Sequence, residues 1–120
     1  MGYNEKIMEV RNDISNKNYE SAISKLQNML YESNNKTVED ENNTYYTFGN
    51  NAEQVIFYNT YGYKKPNIFP EYNISEIYYY LGFANTDLKN YGLALEHLNN
   101  ALKWNPINVS AMFEKAAIFR

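Results

Sequence analysis

The 120-residue chain has no cysteine, which excludes disulfide frameworks, thiolate zinc sites and cysteine nucleophiles together. Its single histidine, His97, has no second imidazole with which to hold a metal. The 5 glycines are scattered at Gly2, Gly49, Gly62, Gly82 and Gly92, so no glycine-rich loop cradles a phosphate. No apolar run approaches the ~18 residues of a membrane span. Basic excess is missing too: 11 Lys and Arg stand against 14 Asp and Glu, a net charge of -3. A chain so charged cannot neutralise a phosphate backbone, and neither nucleic acid nor a membrane is expected as a partner. The start, Met1 to Lys6, lacks the basic and apolar segments of a secretory signal, so a cytoplasmic location is the expectation.

What is abundant is tyrosine, with 13 residues, and asparagine, at about one residue in six. Both are favoured by A+T-rich codons, and both also make an adhesive, hydrogen-bonding surface. The Asn-x-Ser/Thr triplets at Asn35, Asn42, Asn73 and Asn108 read as chance matches in the absence of a secretory signal.

Periodicity divides one domain into segments. Tyr3, Ile7, Val10 and Ile14 fall at helical spacing and predict a helix from Asn4 to Ser15. Tyr19, Ala22, Ile23, Leu26, Met29 and Leu30 predict a second, completing a hairpin over residues 1–35. Residues 36–73 lose the period. There Glu39-Asp40-Glu41 reads as a solvated acidic loop, Thr44 to Phe48 as extended, and Ala52, Val55 and Ile56 as one short helix before the aromatic loop that Pro66 and Pro70 impose. Residues 36–50 are expected to be the least protected part of the chain. Asn73 followed by Glu76 resembles a capping box opening a helix through Ile77, Leu81 and Leu88. Tyr91, Ala94, Leu95, Leu98, Ala101 and Leu102 predict the next helix, ended by Asn105-Pro106. A last helix covers Val109 to Arg120.

The chain is also similar to itself. Lys17, Asn18, Tyr19, Ala22, Leu26, Asn28 and Leu30 recur as Lys89, Asn90, Tyr91, Ala94, Leu98, Asn100 and Leu102, each 72 residues on. That offset fits two units of a helix-turn-helix array, and Tyr78 to Met112 and Gly82 to Ala116 show the single period of 34.

This pattern resembles the tetratricopeptide (TPR) repeat, whose signature runs W-x2-L-G-x2-Y, A-x3-F and P. Here it reads Tyr78-x2-Leu81-Gly82-x2-Asn85, Ala94-x3-Leu98 and Pro106, with Tyr91 and Ala101 at further family positions. The best match spans residues 74–106, and residues 107–120 match the first helix of a further repeat or a capping helix. Asn85 stands where an aromatic is usual, and the first hairpin lacks the Leu-Gly pair. The expected fold is therefore all-α: a TPR-like antiparallel array with an irregular central insertion. Its repeat core is Tyr78, Leu81, Gly82, Tyr91, Ala94, Leu98, Ala101 and Pro106.

No enzyme is expected, and no cofactor or metal. His97 has no triad partner nearby and reads as a structural, partly exposed side chain. The resemblance implies a concave partner groove at Glu76, Tyr79, Phe83 and Thr86, joined by Ser110, Phe113 and Ala117 from the last helix. The Lys and Asn residues with which chaperone-binding members hold a terminal carboxylate are missing there. The function expected is a non-catalytic protein or peptide interaction module. The alternatives are packing of Tyr79, Tyr80 and Phe83 against residues 61–72, a structural self-association unit, and a small-molecule or sugar pocket of Tyr and Asn. Met112, Phe113, Ala116, Ala117, Ile118 and Phe119 occupy more faces than one neighbour buries, so the expectation is either that the native protein continues beyond Arg120 or that the last helix pairs in a homodimer or larger assembly, the second being favoured.

Overall fold

A computed structural model describes residues 2–33, Thr44–Tyr45, Thr47, Ile56, Asn67–Ile68 and 72–119. These residues form α1 (Tyr3–Ser15), α2 (Tyr19–Ser33), β1 (Thr44–Tyr45), β2 (Asn67–Ile68), α3 (Ile74–Asp87), α4 (Tyr91–Trp104) and α5 (Val109–Ile118). The two strands are a two-residue parallel pairing, Thr44 with Asn67 and Tyr45 with Ile68, and everything else that is regular is helix. Thr44–Tyr45 is extended, as its β-branched and aromatic residues predict. The short helix expected at Ala52, Val55 and Ile56 lies outside the described residues, apart from an exposed Ile56.

Short turns fold α1 onto α2 and α3 onto α4, and α2 and α4 in turn pack on the helix that follows. Both hairpin turns are the same structure. Lys17 and Lys89 hold positive φ, 62° and 65°. Asn18 N–H donates to Asp13 O at 2.7 Å and Asn90 N–H to Asn85 O at 2.8 Å, while Lys17 and Lys89 donate to Ile14 O and Thr86 O, each at 3.0 Å. This is a Schellman ending built twice, 72 residues apart, and it satisfies the last carbonyls of α1 and α3.

The core has two parts with α3 between them. Ile77 and Leu81 of α3 join Ile7, Val10, Ala22, Leu26 and Met29 of the first hairpin. On its other side Tyr78 and Tyr79 pack against Leu98, Ala101 and Ala111. The α3/α4 seam is tight: a Cβ on Gly82 would lie 2.5 Å from Leu98 Cδ2, 2.6 Å from its Cγ and 3.4 Å from Ala94 O. Leu81, Ala94, Leu98 and Ala101 are fully buried beside it. Tyr78 is half-buried and Pro106 sits half-buried in the turn after α4.

Tyr91 departs from that expectation, being 48% exposed. Its counterpart Tyr19 is held by a neighbour, donating to Asp87 Oδ2 of α3 at 2.6 Å. The capping box is half of one: Asn73 Oδ1 accepts from Glu76 N–H at 3.2 Å, but the Glu76 carboxylate turns to α1 instead.

One buried polar hub closes the end of the α3/α4 hairpin. Ser75 Oγ donates to Ala101 O at 2.6 Å and accepts from Asn108 Nδ2 at 2.9 Å. Ser75 N–H donates to Thr47 Oγ1 at 2.9 Å. Thr47 N–H in turn donates to the carbonyl of Trp104, the single tryptophan, at 3.0 Å. Asn108 Oδ1 also caps α5 through Ala111 N–H at 3.0 Å. At Thr47, therefore, the stretch expected to be least protected is instead buried and bonded at both backbone and side chain.

Candidate functional site

α3 adjoins α1 through side chains and α5 along the helix, and it carries the central row. Glu76, Tyr79, Tyr80, Phe83 and Thr86 are all half-buried on it. Spacings of three and four residues set Glu76, Tyr79, Tyr80 and Phe83 on one side of the helix, with Tyr79 also packing on the cluster of Leu98, Ala101 and Ala111.

Toward α1 the row is polar. Arg11 Nη2 donates to Glu76 Oε2 at 3.0 Å and Arg11 Nε to Tyr80 OH at 2.8 Å, with the guanidinium carbon 5.9 Å from the Tyr80 ring centroid. The Tyr80 hydroxyl, with Glu76 behind it, pushes the Arg11 pKa further up. Tyr3 OH donates to Glu76 Oε1 at 2.5 Å. Burial, reinforced by the Glu76 carboxylate, raises the Tyr3 phenol well above its usual value and keeps it neutral. Tyr72 tilts against Tyr3 at 5.4 Å between centroids and bonds Lys6 at 2.8 Å and Glu32 at 3.1 Å. Lys6 and Glu32 also form an ion pair.

Toward α5 the row is aromatic. Tyr79 lies 5.1 Å from Tyr80 and 6.3 Å from Phe83, both tilted, an offset geometry that the ring quadrupoles favour. Burial pushes the Tyr79 phenol up to about 12, and Glu114 and Tyr80 add to the shift. Glu114 of α5 is itself raised by burial and by Asp87. Thr86 spends its hydroxyl on Gly82 O at 2.8 Å. On α5, Phe113 is 68% exposed and Ala117 and Ser110 are exposed. Of the expected groove residues, the structure brings Tyr79 and Phe83 together on α3 and commits Glu76 to α1.

Sequence reasoning overlooked Tyr3 and Arg11. A signal for Arg11 was present, since it stands 72 residues before Phe83 and the repeat offset assigns both to one face. Of residues 61–72, Asn67–Ile68 and Tyr72 are described: Asn67 and Ile68 pair with Thr44 and Tyr45, and Tyr72 packs on Tyr3 and Lys6. The rest of that call lies outside the described residues.

His97 is part-exposed and stacks on Tyr78 at 6.0 Å between centroids, 30° from parallel. Its Nδ1 is buried without a hydrogen-bond partner, and burial lowers its pKa. Among the described residues no three His, Cys, Asp or Glu side chains converge as metal ligands, and no helix is long and apolar enough to cross a membrane. Asn73 and Asn108, which begin two of the Asn-x-Ser/Thr triplets, spend their side chains as helix caps.

Compared with known proteins, the chain matches no family model, no curated protein and no solved structure.

Proposed function

We propose that the chain is a TPR-like helical array acting as a non-catalytic interaction module in the cytoplasm, which holds a peptide segment of a partner protein on the face of α1, α3 and α5. The observation that carries this reading is the contiguous aromatic row Tyr80, Tyr79 and Phe83 on α3, with Phe113 exposed on the adjoining α5. Aromatic anchors give large contact area at low entropic cost, which is why they dominate binding surfaces. The TPR-like register draws support from the duplicated turns and from the close approach at Gly82. Because Arg11 is already engaged by Glu76 and Tyr80, the segment held is apolar and aromatic rather than a free carboxylate.

The experiment is a quantitative pull-down from the native cytoplasm with wild type and a Tyr79→Ala/Phe83→Ala variant, together with a photo-cross-linking residue at position 113. Partners that depend on the two rings and cross-link at 113 support the face. Equal recovery with both baits sinks it.

A further inference from the structure

The junction of α1 with α3 and that of α3 with α5 use equivalent positions but differ in charge. In the first, Arg11 of α1 bonds both Glu76 and Tyr80 of α3. In the second, the residue 72 positions after Arg11 is Phe83, and those 34 positions after Glu76 and Tyr80 are Ser110 and Glu114. A carboxylate is present there, and a ring stands in place of the arginine. Glu114 is half-buried on the side of α5 that meets α3. It stands three residues after Ala111 and four before Ile118, which share with Tyr79 the cluster around Leu98 and Ala101. Nothing cationic meets it. Among the described residues Glu114 has no hydrogen bond and no ion pair, and its helical neighbours Ser110, Ala111, Ala117 and Ile118 are uncharged. Lys115, the next residue, projects about 100° away around the helix. The charge that reaches Glu114 is a second carboxylate, Asp87 at the end of α3, and burial followed by Asp87 raises its pKa, as befits an acid without a counter-ion. Asp87 itself accepts from a neutral donor, the Tyr19 hydroxyl, at 2.6 Å.

We infer that the segment held on this face carries a lysine or arginine beside its apolar residues, and that Glu114, with Asp87, seats this cation next to the Tyr79 ring. The inference rests on the peptide-holding reading of the face and adds the charge of the occupant, which follows from complementarity. An apolar residue of the segment fits the row of Tyr79 and Phe83. A cation beside it restores to the second junction what Arg11 supplies to the first, and a ring next to a carboxylate favours it further. An acidic segment would instead bring a third negative charge to Glu114 and Asp87.

The test selects a phage-displayed library of random peptides on the full chain, on Glu114→Gln and on Tyr79→Ala/Phe83→Ala, with circular dichroism confirming each fold. Wild type should enrich peptides with a lysine or arginine adjoining aromatic or aliphatic residues. Glu114→Gln should keep the apolar preference and lose the basic one, whereas the ring variant should enrich neither. The leading peptide is then synthesised, labelled and followed by anisotropy. It should bind wild type about five- to tenfold more tightly than the same peptide with its basic residue replaced by methionine, a comparison that needs no variant. Against Glu114→Gln the two peptides should agree within about twofold, since the cycle has then lost its coupling. Apolar enrichment without a basic preference overturns the inference and leaves the face standing, as does a basic preference that Glu114→Gln fails to reduce. No enrichment by wild type, or equal enrichment by the ring variant, overturns both. A wild-type dimer in sedimentation that Glu114→Gln dissociates also overturns the inference, because the cation then comes from a second copy.

Discussion

Gly82 sets the spacing of α3 and α4 by the side chain it does not have. With Leu98 Cγ only 2.6 Å from the place of a Cβ and fully buried, any larger residue must displace a packed leucine. Gly82→Leu is expected to lower stability by about 1 to 3 kcal/mol through overpacking, and Leu98→Ala by about 2 to 5 kcal/mol through a cavity. Urea denaturation of both variants checks this, and unchanged midpoints would refute the seam. His97 makes a second prediction at this scale. Burial lowers its pKa, so as pH falls the unfolded chain takes up the proton first. The contribution of neutral His97 is full above the ordinary histidine value of about 6.5 and declines as pH drops toward the lowered folded value. The urea midpoint of wild type should therefore fall between about pH 7.5 and about pH 5.5, and His97→Gln should flatten that slope. A wild-type slope no steeper than the variant's would count against a neutral, desolvated ring.

At the scale of elements, the two Schellman turns place lysine where glycine is the usual choice, since a Cβ at positive φ crowds the backbone. Replacing Lys17 or Lys89 by Gly should relieve strain of about 1 to 2 kcal/mol, partly offset by the extra freedom of the unfolded chain, for a net gain of about 0.5 kcal/mol. Thermal denaturation of the single and double variants reads this, and destabilisation by either would mean the turn is not strained. The helices themselves were legible because each has an apolar stripe at a 3.6-residue period, and the boundaries of α2, α4 and the start of α5 follow from Tyr19, Asn105-Pro106 and Asn108. The row of Tyr79 and Phe83 was legible from the repeat, since period alone separates it from Leu81 and Gly82. The polar links were not. Asp13, Ser75 and Thr47 are buried because of partners 8, 26 and 28 residues away, and a single sequence carries no periodic trace of such pairings. Tyr91 misled because its type matches Tyr19 although it is 48% exposed, a difference that its place in the repeat does not carry.

Over the whole described molecule, contact between the two hairpins rests on the Leu81 and Ile77 side of α3 and on a few side chains from α1. Tyr3→Phe removes one of the two donors on Glu76 and should cost the first hairpin about 1 to 2 kcal/mol. Stacked helical units couple mainly to their neighbours, so the loss should stay local. Hydrogen exchange should quicken in α1 and α2 and change little in α4, whereas uniform acceleration would show the five helices to be one cooperative unit. Trp104 gives the same question an optical answer. As the only indole, buried at the end of α4 and tied to Thr47, it emits from within the second hairpin alone. The 13 tyrosines absorb throughout the chain and pass excitation to it according to their distance. Tryptophan emission thus follows the melting of the second hairpin, and the tyrosine-sensitised part of that emission should fade earlier if the first hairpin detaches before it.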